Sequence, residues 1–443
     1  MRSIGSTITA CVLVVSGCSF HNVIYNAQRL SDEADRLRRE GHDSLSAARY
    51  EDVTRKTGQA LKARPASNWE AEALFLLGRS RLRLNDLPAA RAALEEADRR
   101  TQDEKLRSEV QVYVAMTHME MGDPVRALEL VDRSLSTSLD DNARAEGLRL
   151  RGRILLSTLP GGEGWEELDR SSVFDSELRV EVGLERLRWA IKYNDRDRTH
   201  RALKGLLSYP EGANRLDSIL SMVDEAERKW GPAQAAELLV DADSSSWGRT
   251  ARGKIALERA RWLDTAGDTA AAAEQAWRVA AGLGVTAAEA RLLLSSWRLE
   301  RARNLDELRT IRAILLPAGE DLRVLNMLES IDRLEAFTTI GLDESLGWFA
   351  AAEVARESLD ANYLARGLFL AYVDGAREEP WAPKALLAAL EASPDEGDRA
   401  WLRGRLEAYG DSPYVLASHG RSAAGFELLE EGLEVRLREL ARQ

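Results

Sequence analysis

Apolar side chains along residues 71–97 recur at intervals of three, four and seven, the spacing of a buried stripe on an α-helix. The pattern breaks where Asn85, Asp86 and Pro88 form a stretch typical of a tight turn. The segment therefore predicts two amphipathic helices that fold back on each other. Their apolar faces carry Leu74, Leu77 and Gly78 on the first helix and Ala90, Leu94 and Ala97 on the second.

The small residues of this hairpin recur every 37 residues. At that interval Gly78 is followed by Ala115 and Gly152, Ala90 by Ala127 and Gly164, and Leu94 by Val131 and Leu168. The same interval later relates Ala260 to Trp297, Ala272 to Arg309 and Ala276 to Ala313. Small residues on facing helices allow a close approach, and a single hairpin cannot bury its own face. The sequence therefore predicts a stack of hairpins.

Large, small and turn residues in this order resemble the tetratricopeptide repeat, a helix-turn-helix unit. The resemblance implies an all-α fold in which tetratricopeptide-like hairpins form an α-α superhelix, or solenoid. The composition is compatible with a packed helical protein, because 44% of the residues are hydrophobic. The runs rich in Val, Ile and Thr that would predict β-strands are absent from the sequence.

Changes along this pattern divide the chain into six predicted segments. We expect a lipoprotein signal peptide at residues 1–17, a lipidated tether at 18–30 and N-terminal tetratricopeptide-like repeats at 31–175. A degenerate helical segment at 176–247, a second repeat block at 248–340, and C-terminal helical repeats with a cap at 341–443 follow. The polar, serine-rich stretch 241–247 is the predicted joint between two halves.

The first residues have the layout of a secretory signal, with Arg2 before an apolar stretch and small residues after it. The ending from Val15 to Cys18 resembles the lipobox of bacterial lipoproteins. In that family the chain is cut before the cysteine, so Cys18 would carry the lipid. Ser19 in place of Asp implies, by the sorting rule of the family, a lipid anchor in the outer membrane on its periplasmic face.

The cysteine content supports lipidation, and the net charge limits the class of partner. Cys11 lies in the segment to be removed, so Cys18 would be the one cysteine of the mature chain. A single thiol leaves no disulfide pair and is explained by lipidation. The formal net charge of −12 disfavours nonspecific contact with nucleic acid, and we expect no nucleic-acid partner.

The C-terminal part carries a second resemblance. An aromatic helix end, a proline-punctuated turn and the run Ala382-Pro383-Lys384-Ala385 are followed by Ser412-Pro413-Tyr414. Over residues 362–415 this resembles repeats of periplasmic tetratricopeptide proteins. The family includes the lipoprotein of the outer-membrane barrel-assembly machinery and the coordinator of the Tol–Pal system.

The sequence gives no positive sign of catalysis. Residues 248–255 nearly match a phosphate-binding P-loop, but Ile255 stands where Ser or Thr would hold Mg²⁺. A calcium loop starting at Asp241 fails at Ser246 and Arg252, which replace the required Gly and Glu. The five histidines show no metal-ligand spacing. We therefore expect no enzyme activity, no cofactor and no metal.

The resemblance to tetratricopeptide repeats also implies a groove lined by the first helix of each hairpin. By register, the predicted groove residues are Phe75, Arg79, Arg83, Val112, Met116, Met119, Arg149 and Arg153. An apolar middle flanked by arginines would suit a peptide whose carboxylates pair with the guanidinium groups. The alternative is that these arginines only keep exposed helix faces soluble.

Together these patterns predict a non-catalytic, membrane-anchored scaffold that binds protein or peptide partners in the periplasm, with outer-membrane or envelope-complex assembly as one role. Two alternatives stay open. The chain could be an accessory lipoprotein subunit of a cell-wall or polysaccharide system. It could also be a cytoplasmic repeat adaptor whose N-terminal segment only mimics a signal. The sequence names no partner.

Overall fold

The computed structural model describes residues 23–63, 69–159, 161–241, 246–393, 395–421 and 423–442. Within these ranges the chain forms α-helices and short 3-10 helices and no β-strand, which confirms the predicted all-α fold of helical hairpins. The predicted signal peptide at 1–17 and Cys18 lie outside the described residues. None of the described helices is both long and apolar enough to cross a membrane.

The chain divides into two compact units, Met1–Ile255 and Ala256–Gln443, here called unit 1 and unit 2. The division falls inside a helix, a few residues after the predicted joint at 241–247. The predicted tether at 18–30 differs from the structure, because the chain is already helical from residue 23. Its apolar residues explain this, since Ile24 and Ala27 are buried in a cluster with Val53 and Leu76.

Unit 1 is a run of antiparallel helices joined by short turns. Its helices are α1 (residues 23–39), α2 (Asp43–Ala63), α3 (Glu70–Arg83), α4 (Leu87–Arg100), α5 (Glu104–Glu120), α6 (Pro124–Leu135), α7 (Asp141–Thr158), α8 (Trp165–Phe174), α9 (Arg179–Lys192), α10 (Arg196–Ser208), α11 (Leu216–Trp230) and α12 (Pro232–Leu238). α13 (Arg249–Thr265) carries the division between the units. Each helix from α2 to α9 packs on the next one along the chain.

Unit 2 continues with helical hairpins. Its helices are α14 (Thr269–Ala280), α15 (Val285–Leu299), α16 (Asp306–Leu315), α17 (Leu322–Gly341), α18 (Leu346–Glu357), α19 (Asn362–Gly375), α20 (Ala382–Glu391), α21 (Glu396–Leu406), α22 (Pro413–Ser418) and α23 (Phe426–Leu440). One hydrophobic core extends from Ala288 to Leu433. The predicted boundary at 340/341 therefore has no counterpart in the packing.

The contact between small and large residues that the sequence predicts is present in the hairpins. A Cβ atom added to Gly78 on α3 would lie 2.6 Å from Leu94 Cγ on α4. The third copy, in which Gly152 and Gly164 take the places of Gly78 and Ala90, is closer still, because a Cβ on Gly164 would lie 2.1 Å from the carbonyl oxygen of Gly152. Glycine at these positions lets the two helices of a hairpin touch through their backbones.

The turns also follow the sequence pattern. Gly122 and Gly267 adopt φ of 86° and 88°, a left-handed conformation that glycine reaches without strain. The aspartates that follow, Asp123 and Asp268, cap the next helix by accepting a backbone N–H with the side chain. Each turn thus ends one helix and begins the next within three residues.

Unit 1 closes on itself. Arg38 at the end of α1 lies 2.5 Å from Glu181 on α9, and Arg39 lies 2.6 Å from Glu177 just before α9. The guanidinium group of Arg215 donates to the carbonyl oxygen of Arg38. A stack of repeats ordinarily contacts only its neighbours, so these contacts between the first and the fifth hairpin are an added constraint.

Candidate functional site

The candidate site is the face on which the first helices of the unit 1 hairpins meet, namely α1, α3, α5, α7 and α9. A repeat of 37 residues places equivalent positions of successive first helices on this one face. The opposite face of each first helix packs on the second helix of its hairpin. Side chains beside the packed stripe therefore point to the inner side, as the register of the sequence predicts.

The predicted apolar residues of the groove belong to the hydrophobic core of the hairpins. Val112 is fully buried, Met116 and Phe75 are nearly so, and Met119 is half-buried against the same core. Phe75 also meets the edge of the Tyr113 ring, with 5.3 Å between the centroids. Of these apolar residues only Phe75 reaches the cavity described below, so the expected open apolar strip is not formed by them.

The predicted arginines of α3 pair with carboxylates of the chain itself. Arg79 forms an ion pair with Asp35 of α1, and its guanidinium group lies 5.4 Å from the centroid of the Tyr113 ring. Arg83 lies 3.8 Å from Asp35 and donates over 3.2 Å to Glu146 of α7. These contacts join α1, α3 and α7 across the inner face.

The predicted arginines of α7 are paired in the same way. Arg149 pairs with Glu181 and donates to Glu185 over 2.7 Å, and both carboxylates lie on α9. Arg153 donates to Glu120 over 2.8 Å and lies 3.6 Å from Glu185. All four predicted arginines thus have an internal carboxylate partner. Capture of a peptide by these residues stays a prediction, and it would require them to exchange an existing partner.

These ion pairs form a connected cluster, which we call the inner ion network. Its members are Asp35, Arg38, Arg79, Arg83, Glu146, Arg149, Glu181 and Glu185. Burial alone would raise the pKa of Glu181, but the charges of Arg149 and Arg38 outweigh burial and lower it to about 2. The pKa of Asp35 is likewise lowered, since its arginine partners outweigh burial.

A cavity of about 770 Å³ opens beside this network, lined by side chains of α1, α3, α5 and α7 and by residues just before α9. Nine carboxylates line it, against three cationic side chains, Arg39, Arg79 and Lys105. The cavity is therefore strongly acidic. The arginines at the predicted groove positions alone indicate a basic face, whereas the carboxylates between them make this face acidic.

Four of the lining carboxylates, none of them among the predicted groove residues, recur periodically in the sequence. Asp35, Glu72, Glu109 and Glu146 follow one another at the repeat interval of 37 residues, one on each of α1, α3, α5 and α7. We call this row the carboxylate ladder. The same phase comparison that located the small residues would have located the ladder, because acidic residues at one repeat position share one face of the stack.

The members of the ladder differ in their surroundings. Asp35 and Glu146 pair with arginines of the inner ion network. Glu109 forms no ion pair with any residue that the structure describes. Burial raises the pKa of Glu109, and Asp140 adds to the rise while Arg79 opposes it. A positive charge next to Glu109 would therefore be favoured more than next to the paired carboxylates.

Other sequence patterns do not form a second site in the described part of the chain. No group of three or more His, Cys, Asp or Glu side chains there could hold a metal ion. The P-loop-like segment leads directly into α13 at Arg249. Trp189 is buried and donates its indole N–H to the carbonyl oxygen of Leu156, whereas Trp277 is 41% exposed on α14.

Comparisons with known proteins add little. No protein-family model matches the sequence, and no curated protein matches it. Among solved structures, a tetratricopeptide repeat protein from Parabacteroides merdae is 14% identical, with a TM-score of 0.32; the match covers 57% of this chain and 91% of that one.

A second solved structure, the APC/C hetero-tetramer Cut9-Hcn1, is 12% identical, with a TM-score of 0.28; the match covers 94% of this chain and 98% of that one. Because both scores are low, the description of this chain as a helical-repeat protein rests on its own hairpins.

Proposed function

We propose that this chain is a non-catalytic repeat scaffold that is anchored by a lipid at Cys18 and binds a protein partner on the periplasmic face of the outer membrane. The observation that supports partner binding is the cavity of unit 1, where four successive first helices, α1, α3, α5 and α7, direct charged side chains to one side. Rigid helices hold such side chains in place without closing over them, which suits the capture of another chain.

The anchor rests on the sequence from Val15 to Cys18 after a short apolar stretch. Metabolic labelling with radioactive palmitate tests it directly. The wild-type chain should take up label and sediment with membranes, and the Cys18→Ser variant should do neither. An unlabelled wild-type chain would reject the anchor and favour the cytoplasmic alternative.

Site-specific photo-crosslinking in intact membranes tests partner binding. A photoreactive amino acid at Asn142, which lines the cavity, should give a discrete crosslinked protein that mass spectrometry can name. The same amino acid at Val125, which is 70% exposed on the second-helix face, serves as the matched control. Equal crosslinking from both positions, or none from Asn142, would remove the cavity as the partner site.

The identity of the crosslinked protein decides between the two envelope roles. An outer-membrane assembly component would support the scaffold in envelope-complex assembly. A cell-wall or polysaccharide enzyme would support the accessory-subunit alternative. The inner ion network does not discriminate between them, because its charges are satisfied within the chain.

A further inference from the structure

We propose that the acidic cavity of unit 1 binds a cationic side chain, the ammonium of a lysine or the guanidinium of an arginine, on a peptide segment of the partner protein. This inference rests on the proposed function, since it names the chemistry by which the partner is held. The cavity, the carboxylate ladder and an unpartnered buried tyrosine support it independently of the N-terminal anchor.

The lining of the cavity carries an excess of negative charge. The cavity has the volume of a ligand site, about 770 Å³, and its lining has six more carboxylates than cations. Carboxylates that face one another across a partly enclosed space repel, and the site is relieved when a cation enters. An acidic peptide would meet the same repulsion, so the sign of the ligand is opposite to that expected from the arginines alone.

The carboxylates of the lining differ in whether a cation of the chain already pairs with them. The inner ion network already neutralises Asp35 and Glu146, which line the cavity. Asp103 and Asp175 accept backbone N–H groups from the residues that follow them and form no ion pair with any described residue. Glu109 lines the same cavity and forms no ion pair with any described residue either. Glu109 thus carries a charge that no described cation pairs with.

Tyr113, one helical turn from Glu109 on α5, gives an independent observation. It lines the cavity although it is only 3% exposed, and its hydroxyl forms no hydrogen bond with any residue that the structure describes. Its ring packs in a T-shaped arrangement with Phe75 and lies near the guanidinium group of Arg79. Because this hydroxyl oxygen has no partner within the described chain and its residue lines the cavity, it is available to accept a hydrogen bond from a ligand.

An ammonium or guanidinium group supplies what both residues lack. It carries several N–H donors, so one can point to the Tyr113 oxygen and another to the Glu109 carboxylate. A metal ion suits the cavity less well, because no group of three or more ligating side chains converges in the described part of the chain. The volume also exceeds the need of a single ion and admits the stem of a long side chain.

Fluorescence anisotropy with the purified full-length chain tests the proposal. The probe is a short fluorescein-labelled peptide of alternating lysine and glycine, and the reference is the matching glutamate–glycine peptide. The lysine peptide should bind and the glutamate peptide should not. Glu109→Gln should weaken binding about tenfold, because a charge-assisted hydrogen bond is lost, and Tyr113→Phe should weaken it several-fold.

Glu129→Gln is the matched control. This residue is exposed on α6, outside the cavity, and the variant makes the same change of charge. Binding should be unchanged in it. Equal weakening in Glu129→Gln and Glu109→Gln would overturn the proposal, since binding would then follow net charge alone. Thermal unfolding of each variant checks that it is folded. If Glu109→Gln does not fold, Tyr113→Phe still tests the proposal, because it removes the hydroxyl and preserves the ring packing.

A free polyamine could also supply an ammonium group to the cavity. Competition with spermidine distinguishes a free polyamine from a peptide segment. Spermidine should displace the lysine peptide only weakly; if it binds more tightly than the peptide, the assignment to a partner segment is wrong. The two proposals also fail separately. Crosslinks from Asn142 without binding of the lysine peptide would overturn this inference and leave the scaffold function intact. Absence of crosslinks from Asn142 would instead remove the cavity as the partner site, even if the lysine peptide binds.

Discussion

The closest contact between two helices of unit 1 gives the sharpest stability prediction. Gly164 opens α8 and touches the backbone of α7 at Gly152. The Cβ of a Gly164→Ala variant would lie 2.1 Å from the Gly152 carbonyl oxygen, whereas real Cβ atoms keep at least 3.0 Å. The variant must therefore move the two helices apart by about 0.9 Å, because a carbonyl oxygen cannot rotate away as a side chain can.

The expected cost follows from this geometry. Overpacking of a core costs about 1–3 kcal/mol, and a backbone contact belongs at the upper end of that range. Replacing glycine by alanine also removes freedom from the unfolded chain, which returns about 0.4–1 kcal/mol. The net loss in the free energy of unfolding is then roughly 2 kcal/mol, or a fall in the melting temperature of roughly 4–8 °C for a unit of this size.

Thermal unfolding followed by far-UV circular dichroism measures the effect. Gly205→Ala is the control, because a Cβ there has no neighbour within 4 Å, and it should stabilise α10 slightly. Gly78→Ala should fall between the two, since the side chain of Leu94 can yield in part. A Gly164→Ala variant that melts no lower than Gly205→Ala would refute the reasoning from backbone contact.

Three further predictions concern charges and caps. The folded pKa of Glu181, about 2, lies below its ordinary 4.5. The free energy of unfolding should therefore fall by roughly 3 kcal/mol as the pH drops from above 4.5 to 2. In acid titrations followed by fluorescence, the Glu181→Gln variant should show a weaker dependence of this free energy on pH. Arg149→Met should cost about 3–5 kcal/mol in urea unfolding, because it strands buried carboxylates, whereas exposed Arg133→Met should be nearly neutral. Asp123→Ala should cost about 1 kcal/mol in the same assay, and Asp86→Ala, without a side-chain cap, much less.

Much of the fold could be predicted from the sequence because its determinants are local and periodic. The interval of 37 residues marks which face of each helix packs, and Gly78 and Leu94 meet as their spacing predicts. The predicted degenerate segment at 176–247 also forms a hairpin, since Gly183 of α9 makes the same close contact with Leu206 of α10. Gly183 and Leu206 are farther apart in sequence than Gly78 and Leu94. A search at one fixed interval therefore does not detect this hairpin.

The character of the inner face was harder to predict. Register indicated that Arg79 and Arg149 point inward, but it carried no information on their partners. Asp35 lies three hairpins from Glu146, although both pair with Arg83, and Arg38 meets Glu181 only because unit 1 closes. Such pairs depend on the rotation from one hairpin to the next, which the periodicity of one chain does not define. The carboxylate ladder, by contrast, was present in the sequence as a periodic signal.

The closure of unit 1 also fixes how many hairpins it can contain. An open array tolerates the gain or loss of a whole repeat, because each added hairpin needs only its neighbours. In unit 1 the turn between α1 and α2 contacts the backbone at Asn214. A Cβ added to Gly41 would lie 2.8 Å from the carbonyl oxygen of Asn214. One hairpin more or fewer would separate these segments and unpair Arg215 from Asp43. Changes in length are thus expected within loops, and not as whole hairpins between α1 and α11.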